Sequence, residues 1–359
     1  MNSPASIDHS SQARPGVQPF PDRLYVVTAI SNPARYRSRY NLYRAFEKHI
    51  VDSGAILITV EMAFGDRPFE VTEAANPHHV QVRGNHELWH KENLLNIGMS
   101  RLPASAKYVA WIDADVSFTR PDWAQETLHQ LQHFDVVQLF SEALDLGPNG
   151  HVIGQNIGWV ESKMRAFPFH GLFTTREFSL PFGAKASALA QSGQYQGQPA
   201  ASGMGVKVVT WHSGFAWAAR REALNKLGGL IDVAILGSAD KNMAAGLYGF
   251  MEETLSPNFS VGYRDALLGW QKLAERNIRQ NVGLVEGTLI HAWHGKKTER
   301  GYHARWKILE ESQFDPRTDL KKDTQGLWQL EDDGSPRFVL LRDELRQYFR
   351  SRNEDSVDA

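Results

Sequence analysis

Four groups of side chains in this sequence have the types and spacing to do chemistry. Asp113-Ala114-Asp115 directly follows the apolar run Tyr108–Ile112. A chain with 20 Asp holds about one D-x-D by chance, so its position matters more than its pattern. Two carboxylates at the end of a buried strand are costly unless a cation or ligand compensates them. Mg²⁺ and Mn²⁺ favour such oxygens together with phosphate oxygens. The alternative is a solvated acidic turn. The second group is His291-Ala-Trp-His294-Gly-Lys-Lys297, after the run Leu284–Ile290. A neutral imidazole suits Mn²⁺ beside carboxylates, and the lysines suit a diphosphate; a structural histidine is the alternative for either His taken singly. Third, Asp240 ends Leu236-Gly-Ser-Ala-Asp240. It can be a general base if partly desolvated, or the N-cap of the helix-like segment that follows. Fourth, Lys91 and Asn93 fall early in a helical pattern, where they can meet a phosphate or simply belong to a solvated face.

The elements that must position these groups alternate between strand and helix. Leu24–Ile30, Ala55–Val60, Val80–Val82, Tyr108–Ile112 and Val136–Phe140 are short, β-rich and apolar, as buried strands are. Tyr36–Val51, Leu88–Met99 and Trp123–Phe134 have helical spacing. Such alternation predicts an α/β fold, a mostly parallel sheet with helices on both faces. Ligands then sit at the carboxyl ends of the strands, near Thr28–Asn32, Glu61 and the residues after Ile112. Further on, the pattern predicts helices over Arg221–Leu227, about Tyr263–Gln280 and Phe338–Arg350, and a strand within Asn281–Ile290. Residues 1–22 read as a disordered tail and about 184–205, nearly all Ala, Ser, Gly and Gln, as a flexible loop.

Composition narrows the classes. The chain has 359 residues, enough for a large core, with 42% hydrophobic and 22% charged residues. Cysteine is absent, which excludes disulfides, thiol nucleophiles and Cys-based zinc sites. A net charge of −2 gives no support for general nucleic-acid binding. No apolar run reaches membrane length and the first residues do not look like a signal peptide, so a soluble, cytoplasmic protein is expected.

Together and in order, these pieces resemble the GT-A nucleotide-sugar glycosyltransferases, family-2-like group, over about residues 23–304, with 305–359 as a C-terminal extension. The resemblance implies a Rossmann-like GT-A fold with a variable acceptor-side insertion, and a UDP-sugar donor. It places Thr28 and Glu61 at the nucleotide and Asp113 at the ribose and diphosphate, and Lys91 and Asn93, from their place early in the helix, join them as candidate nucleotide-sugar contacts. It gives Asp113, Asp115 and His294 to Mn²⁺ or Mg²⁺, with Asp115 as direct ligand and His291 a lesser candidate. His212–Arg220, Gly228-Gly229 and Asp240 follow the family's order, which makes Asp240 the base. Trp211 and Trp217 are candidates for stacking on a sugar or base, with core filling as the alternative. The Gln-x-x-Arg-Trp signature of processive synthases is missing. The acceptor is open: a polysaccharide, a small molecule, a protein or a modified nucleobase. A nucleotidyltransferase and a catalytically silent sugar- or nucleotide-binding module are the rival readings.

Overall fold

The structure, a computed structural model, describes residues 22–166, 212–301 and 304–357. The expected disordered tail (but for Asp22), the loop at about 184–205 and Trp211 lie outside the described residues. The first half runs β1 (Leu24–Ser31), α1 (Arg37–Asp52), β2 (Ile56–Phe64), β3 (His79–Gly84), α2 (Lys91–Ser100), β4 (Tyr108–Ile112), β5 (Val116–Phe118), α3 (Trp123–Gln130), β6 (Val136–Gln138), β7 (Glu142–Leu146), β8 (Val152–Ile157) and α4 (Trp159–Ala166). The second runs β9 (Ala216–Arg220), α5 (Arg221–Leu227), α6 (Ala239–Leu247), α7 (Val261–Asn277), β10 (Val282–Leu284), β11 (Thr288–His291), α8 (Ala304–Glu311), α9 (Pro316–Asp319), β12 (Leu320–Lys322), β13 (Trp328–Leu330) and α10 (Pro336–Ser351).

The main sheet has the order β10-β6-β9-β4-β1-β2-β3. β9 alone runs antiparallel to its neighbours, so the sheet is mostly parallel, as expected. Alternate residues of β1 feed two cores. Tyr25 and Val27 pack with Leu94 and Leu95 of α2, while Leu24, Val26 and Ile30 pack with Tyr43, Phe46 and Ile50 of α1. Helices therefore cover both faces, which is why the strands read as continuous apolar runs. The D-x-D segment leaves the central strand β4, the placement the GT-A resemblance implies.

A second sheet, β5-β11-β7-β8, stands beyond the carboxyl end of β4. The expected strand within Asn281–Ile290 is in fact two: β10 closes the main sheet, and after Gly287 β11 enters the second. The C-terminal region packs onto the rest of the fold. Its β12–β13 hairpin docks on α2 through Asn93, and the end of α10 returns to the site.

Candidate functional site

The site grows out of strand register. His291 is paired with Val116 across β11–β5 and with Asp145 across β11–β7. Paired side chains are close neighbours, so the imidazole sits beside Asp145 and next to the turn carrying Asp115. His291 Nδ1 lies 2.8 Å from Asp145 Oδ1. Its Nε2 is 3.1 Å from His294 Nε2, and the latter is 3.1 Å from Asp115 Oδ2. One ligand atom from each of the three residues lies within 4.8 Å of the others. Asp115 Oδ1 is buried and makes no hydrogen bond. Two imidazole nitrogens turned toward each other, beside an orphaned carboxylate oxygen, fit a divalent cation. Asp145 stands behind His291 where a carboxylate would support a metal-bound imidazole, and is itself held by Lys297 (2.5 Å) and Asn156 (2.7 Å). Burial pushes the Asp115 carboxyl up, but His294 and His291 outweigh burial and hold it below the usual range.

The cluster differs from the expected ligand set. A turn at Ala114-Asp115 separates the two carboxylates. Asp113 is outside the cluster, and its Oδ1 accepts from Lys91 Nζ at 2.9 Å. Burial still keeps the Asp113 carboxyl above its usual range, with Lys91 opposing. The sequence favours His294 over His291, whereas the structure brings both in.

These groups line a cleft of about 1060 Å³. Lys91, the first residue of α2, enters it with the buried Glu92. Burial would push Lys91 down, but Asp113, Glu92 and Asp240 outweigh burial and hold it above its usual value. Burial pushes Glu92 up to about 7, against Lys91. Asp240 also lines the cleft, as the second residue of α6. The N-cap is Ser238, with φ 74°, so Asp240 is not the cap. Ser238 Oγ accepts from Arg305 Nη2 (2.5 Å) and Trp306 Nε1 (3.1 Å), which fixes where α6 starts. Gly214 leaves room for the carboxylate, since a Cβ there would lie 2.5 Å from Asp240 Oδ2. Beside it, burial lowers Lys241 to about 8, and its ammonium stands 4.6 Å from the Trp306 ring centre.

Three expected nucleotide contacts do not line the cleft. Thr28 is buried and donates to the Ile112 carbonyl (2.8 Å), while Ala29, Ile30 and Ser31 reach the cleft instead. Glu61 is not at a strand end, because Met62-Ala-Phe64 continues β2. Its carboxylate accepts from the amides of Glu70, Val71 and Thr72 (2.7, 3.1 and 2.9 Å) and so organises the loop after β2. Asn93 donates to the Gly326 carbonyl and accepts from the Trp328 amide, both at 3.0 Å. Trp217 is buried in the core, with its indole N–H on the Ser213 carbonyl. Sequence reasoning misses Asp145, Glu92 and Glu354. Only Glu92 carries a signal, as the acidic neighbour of Lys91 in the first turn of α2.

No family model matches the chain, and no curated protein does. Solved structures do resemble it. The catalytic domain of Drosophila β1,4-galactosyltransferase 7 complexed with xylobiose aligns at 10% identity and a TM-score of 0.28, over 62% of this chain and 59% of that one. A mutant of the same enzyme complexed with manganese, UDP-Gal and xylobiose aligns at 9% and 0.29, over 62% and 60%. The chain thus spans about three fifths of the length of these galactosyltransferase structures. A protein described as a nucleotide-diphospho-sugar transferase, from Desulfovibrio desulfuricans G20, aligns at 10% and 0.30, over 90% and 96%.

Proposed function

We propose that this protein is a GT-A-type glycosyltransferase, moving a sugar from a nucleotide-diphosphate sugar to an acceptor hydroxyl. The observation that carries this reading is the Asp115–His291–His294 cluster with its orphaned Asp115 oxygen, opening into a cleft of donor-sized volume. Asp115, His291 and His294 would hold Mn²⁺ or Mg²⁺, which neutralises charge on a diphosphate leaving group. Lys91 and Lys297, both in the cleft, suit the same phosphates. Asp240 accepts the proton of the attacking hydroxyl. Trp306, half-buried in the cleft wall, offers its indole to a sugar or base, while Trp89 is stacked on Phe349. The donor is a UDP-sugar by the resemblance, and the acceptor class stays as wide as the sequence leaves it. No helix among the described residues is long and apolar enough to cross a membrane; a cytoplasmic setting belongs to the proposal.

The test is a screen of nucleotide sugars, reading released nucleotide with and without Mn²⁺ or Mg²⁺. Release that needs both the cation and one class of donor is the expected result. Binding without release would make the chain a binding module, and pyrophosphate release would make it a nucleotidyltransferase. Because both imidazoles face the cluster, His291→Ala and His294→Ala are each expected to weaken Mn²⁺ binding by at least about 10-fold, the lower end of what even an outer-shell loss costs. Titration of Mn²⁺ by paramagnetic resonance checks this, and wild-type affinity in either variant would remove that histidine from the site.

A further inference from the structure

The C-terminal segment after α10 lies against the cluster. Trp293, between the two histidines, donates its indole N–H to the Ser356 carbonyl at 2.6 Å. Gly295, with φ 85°, lets the segment pass directly behind His294, since a Cβ there would lie 2.8 Å from the Asn353 carbonyl oxygen. Asp355 accepts from the amides of Arg37 and Ser38 (3.0 and 2.8 Å), so the segment also closes the N-terminus of α1. Between these anchors sits Glu354, whose side chain is fully buried. Its Oε2 is 2.5 Å from Arg39 Nε, and its Oε1 is 2.6 Å from Arg352 Nε and 2.7 Å from Arg39 Nη2. The same Oε2 faces His294 Nδ1 at 3.8 Å, the distance of an ionic contact rather than a hydrogen bond. His294 therefore lies between two carboxylates, Asp115 at Nε2 and Glu354 at Nδ1.

We infer that Glu354 is a positioning residue that orients His294 toward a divalent cation, an inference that rests on the cation reading proposed above. Asp145 stands behind His291 in the corresponding place. A carboxylate behind a ligating imidazole fixes the ring and makes its other nitrogen a better donor. Arg39 and Arg352 hold the Glu354 carboxylate in place. Charge balance for those arginines would need no histidine nearby. Yet the Glu354 oxygen that accepts from Arg39 Nε is also the one turned to the imidazole.

The experiment measures Mn²⁺ affinity by paramagnetic resonance, and melting without metal, in the full chain. Glu354→Gln keeps the shape and removes the charge. Glu354→Asp keeps the charge for the arginines and withdraws it from His294 by one methylene, which serves if the Gln variant does not fold. Arg337→Gln breaks the paired contacts to the buried Asp319 (2.8 and 3.0 Å), on α10 and outside the cleft, and controls for general destabilisation. The expected result is a 10–100-fold loss of Mn²⁺ affinity in Glu354→Gln and a smaller loss in Glu354→Asp, with Arg337→Gln within about 3-fold of wild type despite a lower melting temperature. Wild-type affinity in both Glu354 variants, with binding lost in Asp115→Asn, would overturn this inference alone. An equal loss in Arg337→Gln would reduce Glu354 to a structural role and overturn it too. A wild-type protein that binds no Mn²⁺ would overturn the cation site itself.

Discussion

Asp115→Asn is expected to abolish tight Mn²⁺ binding and lower metal-dependent turnover by about 10³-fold or more. Losing charge stabilisation at a leaving group is worth several kcal/mol, and about 4 kcal/mol is about 10³ in rate. The geometry places this residue above its neighbours. It supplies the only carboxylate of the three-residue cluster, with one oxygen near both histidines and the other buried without a hydrogen bond. Asn keeps the size and offers one neutral oxygen in place of a charge. The fold is expected to persist, because the neighbouring backbone bonds do not use the carboxylate: Asp113 N–H reaches the Phe215 carbonyl, and Ala292 N–H the Asp115 carbonyl. The measurements are Mn²⁺ titration, turnover with and without EDTA, and melting of the metal-free protein. Full turnover in excess EDTA would dismiss the cation, while an unfolded Asn variant would make Asp115 a structural residue.

Much of the frame was legible, and the reasons are local. β4 was expected over Tyr108–Ile112 and is found there, because a run buried on both faces needs no partner to be recognised. The same logic located α5 and, within a few residues, α1 and α10. Asp115 was visible because it follows that run, and His294 because it follows the apolar stretch Leu284–Ile290, which in the fold divides between β10 and β11. What failed was side-chain direction. Glu61 and Thr28 have suitable types near suitable strand ends, yet β2 continues for three residues past Glu61 and the Thr28 hydroxyl is taken by the Ile112 carbonyl. Asp145 was hidden for a different reason. In Glu142-Ala-Leu-Asp-Leu146 the leucines read as the buried face, whereas Ala143 and Asp145 are the buried positions. Pairing with His291 reverses the pattern, and that pairing joins residues 146 apart in sequence. Glu354 carries no local signal at all: a polar segment after a last amphipathic helix looks like an appendage until the fold returns it to α1.

Asp240→Asn is expected to leave donor affinity within a few-fold and to cut turnover by about 10²–10⁴, the usual worth of a general base. From sequence, a helix cap is the competing account, and a cap would tolerate Asn. The structure removes that account, because Ser238 occupies the cap position and Asp240 is the second helical residue. A carboxylate in the first turn still favours the helix by about 0.3–1 kcal/mol, so the Asn variant should melt only slightly lower. Its environment suits proton transfer: it lines the cleft, half-buried, with Lys91 and Lys241 close enough to feel its charge. Glu92 is the other carboxylate to weigh, since burial brings it to about 7 in the same cleft. Comparing Asp240→Asn with Glu92→Gln at saturating donor and acceptor separates the two. A collapse in the first with a lesser effect in the second supports Asp240 as base, and the reverse pattern would transfer the role to Glu92. Near-normal turnover in both would mean that no base acts on this side of the cleft, and the reading would move to a mechanism that retains the sugar's configuration.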